Sequence, residues 1–314
     1  MKNKKLLIGF FFALLGLILV EYYIYINYSR LTRETTEISF VASGDNLDQW
    51  DNMISGAEAA ASDIDCIINY VNSPIDAGAE GEIDMINRQI SEGADYVIVN
   101  SGFYEQVYDY VRANHMLSTV SFVKNGNSKN ESYNIQADEF KLGQDFAQYI
   151  LEENESHRLL FLASEDSVNT NDAIEGLKDG FKDSELEYDV QICSNSSELL
   201  KNIYNLKYSS KHDGVVALDS ETIDLLISKK NYISEDIAIY AIDNRQKSVY
   251  YLDSSALRAL AYEDDYALGY ITVKHFLEGK SLTRIARGVP LYYIVDRKTM
   301  YSEQLEKVLF PFVK

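Results

Sequence analysis

Apolar and polar positions along the chain fall into blocks of two periods, one of strand type and one of helical type. The clearest block is ISFVASGDNLDQWDNMISGAEAA, from Ile38 to Ala60. Ile38–Ala42 is a short apolar run, Ser43–Asp48 is polar with a glycine, and Trp50, Met53, Ile54 and Ala57 recur at helical spacing. Strand, loop and helix in that order place the loop at the carboxyl end of a strand, where open α/β sheets bind ligands. The loop supplies an amide, Asn46, and the helix opens with a broad aromatic face, Trp50.

The unit repeats downstream. Strands are predicted at Asp65–Val71, Tyr96–Asn100 and Thr119–Val123, with helices at Glu80–Glu92 and Phe103–Ala113. A polar gap, Asn125–Glu131, and a short strand, Tyr133–Gln136, lead to Asp138. The pattern then starts over. Helices are predicted at Gly143–Leu151, Ala173–Phe181, Leu199–Leu206, Thr222–Ser228 and Tyr266–Leu277. Strands are predicted at Arg158–Ala163, Val190–Cys193, Gly214–Leu218, Ile237–Ile242, Ala256–Ala261 and Pro290–Val295. Such alternation implies an α/β protein with parallel sheets and helices on both faces. About eleven strands are many for one open sheet, so two lobes are expected. With only three prolines and no Gly/Ser-rich stretch, the lobes are expected to be joined by direct crossings rather than by a flexible linker.

Charge and the first residues change the picture. The formal charge of −20 and pI near 4.6 argue against binding nucleic acid, which needs clustered Lys and Arg. Lys2, Lys4 and Lys5 precede an apolar run that extends, interrupted by Glu21, from Leu6 to Tyr25. Those 20 residues would span about 30 Å as a helix, enough to cross a bilayer. Residues 1–5 are therefore expected as a cytoplasmic basic end, 6–25 as a transmembrane anchor and 26–37 as a linker to an extracytoplasmic ectodomain. A cleaved signal peptide is the competing reading, but no A-x-A site follows the run and no cysteine lies near it to carry a lipid. The two cysteines, Cys66 and Cys193, lie in different predicted halves and are expected as small core residues rather than a disulfide.

Seven segments in order resemble the ribose/galactose-type periplasmic sugar-binding proteins. They are ISFVASGDNLDQWDNMISGAEAAA, ISEGADYVIVNS, IQADEFKLGQDFAQYI, AIEGLKDGF, HDGVVALDSETIDLL, IAIYAID and LAYEDDYALGYITVKHFLEGK, covering about Ile38–Val295. The lactose-repressor family shares this core behind a DNA-binding helix-turn-helix, whose place a membrane segment takes here. The resemblance implies the type 1 periplasmic-binding fold: two Rossmann-like lobes joined by three hinge crossings near Gln136–Asp138, Tyr262–Asp264 and Val295. The N-terminal lobe would be 38–136 plus 264–293, and the C-terminal lobe 138–262 plus 294–314. A ligand would lie between them and be enclosed by hinge motion.

Carried over position by position, the resemblance implies ligand contacts by Asn46, Trp50, Lys124, Asp138, Asp243 and Glu263, with Gln49, Asn169, Asn171 and Asp219 as further candidates. Five of these have a structural alternative. Asn46, Asp138 and Asp219 could cap helices, Trp50 could face a core, and Asp243 could make a turn with Asn244. Several positions depart from the family: Gln49 replaces a second aromatic, Val123 and Lys124 stand where it has Asp-Arg, Leu177 stands where many members have a sugar-gripping Arg, and Leu218 where they have a ligand-binding Asn. The four histidines are scattered, and no nucleophile, zinc or phosphate-loop motif is present, so no enzymatic activity, metal or cofactor is expected. The expected function is capture of a small polar ligand, a monosaccharide, for an ABC permease at a Gram-positive cell surface. The alternatives are a ligand sensor signalling to a membrane histidine kinase, and a partner protein that binds no ligand.

Overall fold

The computed structural model describes residues 15–22, 35–44, 50–62, 66–124, 134–153, 156–164, 170–207 and 211–310. Residues 15–22 are helical; the rest of the predicted anchor 6–25, the basic end 1–5 and residues 26–34 of the linker lie outside the described residues. No helix among the described residues is long and apolar enough to cross a membrane. The first strand begins at Thr36, inside the predicted linker, because Thr36 and Glu37 already pair with Cys66 and Ile67.

The first sheet holds β1 (Thr36–Ser43), β2 (Cys66–Ser73), β3 (Tyr96–Asn100), β4 (Val120–Val123) and β5 (Asn134–Ile135), all parallel, in the order β2-β1-β3-β4-β5. Side chains alternate across β1. Ile38, Phe40 and Ala42 pack under α1 (Asp51–Ser62), while Val41 turns to the face covered by α2 (Gly78–Glu92) and α3 (Tyr104–Ala113). A strand buried on both faces has no polar side to display, which is why it reads as a continuous apolar run. Edge strand β2 is only half-buried, so Cys66 is not the core residue its sequence context suggests; Cys193 is buried, and both thiols are free.

The chain crosses at 136–138 into α4 (Glu139–Glu153) and a second sheet. Its strands are β6 (Arg158–Ser164), β7 (Glu187–Cys193), β8 (Gly214–Ala217), β9 (Ala238–Asp243), β10 (Ala259–Glu263) and β11 (Tyr292–Asp296), in the order β11-β10-β9-β8-β6-β7. All are parallel except β11, which runs antiparallel to β10. Helices α4 and α5 (Thr170–Phe181) cover one face; α6 (Ser196–Asn205), α7 (Ser220–Ser228) and α8 (Gln246–Asp253) cover the other.

After β10 the chain returns to the first lobe as α9 (Asp265–Glu278) and α10 (Leu282–Ile285), and α11 (Glu303–Leu309) closes on the second lobe. The last crossing therefore precedes Tyr292 rather than lying at Val295, since the whole of β11 pairs with β10. Helix α8 was not anticipated, and the strand expected at Ala256–Ala261 begins at Ala259. Only Ser248, Val249 and Leu252 of α8 are buried, too few to mark a helical period.

Glycine sets how closely the paired helices approach. A Cβ on Gly56 of α1 would sit 2.0 Å from the Tyr266 carbonyl oxygen, and one on Gly176 of α5 would sit 2.0 Å from that of Phe140. Both contacts are with backbone, so neither helix can yield by a rotamer change. Gly176→Ala should therefore lower unfolding free energy by about 1–3 kcal/mol, with an unchanged urea m-value.

Candidate functional site

At the carboxyl ends of β4, β9 and β10 a cleft of about 270 Å³ opens between the lobes. Trp50, Asn100 and Lys124 line it from the first lobe. Glu139, Thr170, Leu218, Asp219, Ser220, Asp243 and Asn244 are among the residues that line it from the second, and Glu263 stands at the crossing.

Lys124 is the centre of the cleft's charge. Its ammonium lies 2.7 Å from Glu263 Oε2 and 3.0 Å from Asp265 Oδ1, and its side chain is 10% exposed. Burial opposes the charge, but Asp265 and Glu263 outweigh it and raise the Lys124 pKa. The Lys124 backbone is left-handed, φ 50°, an unusual setting for a residue with a Cβ. Asn100 braces it by donating through Nδ2 to the Val123 carbonyl at 3.1 Å and to that of Lys124 at 3.4 Å.

Hydrogen bonds cross between the lobes beside this cluster. Asn52 Nδ2 donates to the Asn244 carbonyl at 3.1 Å and to the Tyr262 hydroxyl at 3.0 Å. Asn244 Nδ2 donates to Asp265 Oδ2 at 2.5 Å. Asp265 is fully buried, which raises its pKa to about 6 despite the lowering effect of Lys124.

The predicted site residues divide. Trp50, Lys124, Asp243, Glu263 and Asp219 meet in the cleft. Asn46, Gln49 and Asn169 lie outside the described residues, and Asn171 is exposed and away from the cleft lining. Asp219 caps α7, accepting from Thr222 N at 2.8 Å, and also holds Ser164 N at 2.7 Å. Asp243 is occupied by Arg245 Nε at 2.8 Å, by Asn244 N and by the Ser220 and Ser248 hydroxyls. Trp50 contributes both to the cleft and to the core, meeting Phe40 edge to face.

Asp138 does not line the cleft. It is exposed and accepts from Lys141 N at 2.8 Å, so it caps α4. The next residue, Glu139, is the cleft acid. It is 6% exposed and, among the described residues, has no hydrogen-bond or ion-pair partner. Its pKa is raised well above the ordinary carboxylate value, first by burial and then by the negative charge of Glu263. The signal was the adjacent acid pair: a capping residue ends the crossing, and its successor turns inward. Leu177 is a core residue of the second lobe rather than a replaced cleft residue, whereas Leu218 does line the cleft.

A carboxyl with a raised folded-state pKa lends stability that is complete at acid pH and lost as pH rises through that pKa. Glu139→Gln should therefore stabilise the ligand-free protein at neutral pH, with the gain shrinking on acidification. Urea unfolding at pH 4.5 and pH 7 measures this; a loss of stability at neutral pH would contradict the unpaired-charge description.

The fold recurs in solved structures. A carbohydrate transporter protein from Acidothermus cellulolyticus, solved with myo-inositol, is 18% identical, with TM-score 0.66 over 88% of this chain and 100% of that one. A glucose-galactose binding protein from Geobacillus stearothermophilus is 14% identical, with TM-score 0.65 over 86% and 100%. An ABC transporter solute-binding protein from Agrobacterium vitis, with bound D-fucose, is 15% identical, with TM-score 0.69 over 87% and 100%. No curated protein matches the chain. The sequence profile of the periplasmic binding protein domain matches residues 38–277, across both lobes and the cleft. The chain thus belongs to the periplasmic binding protein domain family, a family of binding proteins rather than enzymes.

Proposed function

We propose that this protein captures a monosaccharide or similar small polyol between its lobes and delivers it to an ABC-type permease. The observation that carries the reading is the cleft itself. It is lined from both lobes, with acceptors at Glu139 and Glu263, hydroxyls at Thr170 and Ser220, an amide at Asn100 and the aromatic Trp50. Polar groups of both donor and acceptor type around an aromatic face suit a ring with many hydroxyls. The ligands named for the neighbours, myo-inositol and D-fucose, are molecules of that kind.

The apolar run Leu6–Tyr25 behind Lys2, Lys4 and Lys5 supports an anchored, extracellular arrangement, with the lysines on the cytoplasmic side and residues 38–314 outside a Gram-positive membrane. The same run favours a second reading, a sensor whose ectodomain docks on a membrane histidine kinase, because a fixed helix suits a stationary partner. Crosslinking in membranes distinguishes them: a permease partner supports the first reading, a kinase the second.

Thermal unfolding of the ectodomain tests capture directly. A pentose, hexose or inositol present at 100 times its dissociation constant should stabilise the fold by about 2.7 kcal/mol. Trp50→Ala should abolish that shift while leaving the ligand-free melting curve cooperative. An unchanged curve across the whole panel would overturn the sugar assignment.

A further inference from the structure

Among the described residues, four carboxylates and a single ammonium line the cleft, and they are not equally satisfied. Asp219 is held by two backbone N–H groups and the Thr222 hydroxyl. Asp243 is neutralised by Arg245. Glu263 has the Lys124 ammonium, but shares it with buried Asp265. Glu139 has no partner among the described residues although it is almost completely enclosed. The groups around it are Lys124 beyond β4, Glu263 at the end of β10, Asp265 on α9 and Asp172 on α5. Among the described residues, one positive charge thus faces a surplus of acid, and they leave Glu139 without a cation.

A neutral polyol would supply hydroxyl donors and leave that surplus in place. An ammonium on the ligand would supply donors and remove it. Trp50, the aromatic face lining the same cleft, adds a surface that attracts cations. Resting on the capture function proposed above, we propose that the preferred ligand is a polyol carrying a primary amine, its ammonium paired with Glu139. A charge-assisted hydrogen bond of this kind is about twice as strong as a neutral one.

The test is titration calorimetry of the ectodomain at pH 7 with glucosamine, galactosamine and glucamine beside glucose, galactose and glucitol. At least one amine should bind about tenfold or more tightly than its parent polyol. Glu139→Gln should erase that preference, bringing each amine to within about twofold of its parent polyol whatever the parent's own affinity becomes. Acidification should shrink the preference too, as Glu139 takes up a proton. Parent polyols that bind as tightly as their amines, or a preference that survives in Glu139→Gln, would overturn the inference and leave sugar capture standing. Binding by neither set would overturn both.

Discussion

The arrangement depends on one buried ammonium. Lys124 leaves the first sheet at the end of β4 and finds its counter-charges on Glu263, at the end of β10 in the second sheet, and on Asp265, at the start of α9. Taking these charges out of water costs several kcal/mol each, so the cluster persists only where the ions are close and well placed. The left-handed backbone at Lys124, braced by Asn100, holds the ammonium in place. An interlobe cleft whose wall is an ion pair has a defined shape before any ligand enters.

Rigid lobes and a polar boundary between them follow from different kinds of residue. Within each lobe, glycines let α1 meet α9 and α4 meet α5 at backbone distance, on sheets buried on both faces. Among the described residues, hydrogen bonds and charge join the lobes: Asn52 to Asn244 and Tyr262, Asn244 to Asp265, and Lys124 to Glu263. Polar contacts of this kind can be exchanged for contacts to a ligand at low net cost, whereas packed apolar surface cannot. The unpaired Glu139 belongs to the same logic, since a group poised for a ligand is a group the ligand-free fold would be more stable without.

The fold was largely legible because parallel strands buried on both faces write themselves as apolar runs, as β1, β3, β6 and β8 do. Helix α8 was not, because its buried side is three residues wide. The cleft was legible at Trp50, Lys124, Asp243 and Glu263, which end strands or open a helix. It was misread by one position at Asp138, because a carboxylate before a helix caps it and leaves the next residue to face inward. Leu177 was misread for a related reason: its place on α5 directs it to the core. The Asn52–Asn244 bond links positions 192 residues apart and has no local signature.

The most direct test of the central claim is a double-mutant cycle on the ectodomain. It compares urea unfolding of the wild type, Lys124→Met, Glu263→Gln and the double variant. If Lys124 balances the charge at the crossing, Lys124→Met alone should cost about 3–5 kcal/mol, and the pair should couple by about 2 kcal/mol. Additivity to within about 0.5 kcal/mol would contradict it, and the cleft's form would then owe nothing to the ion pair.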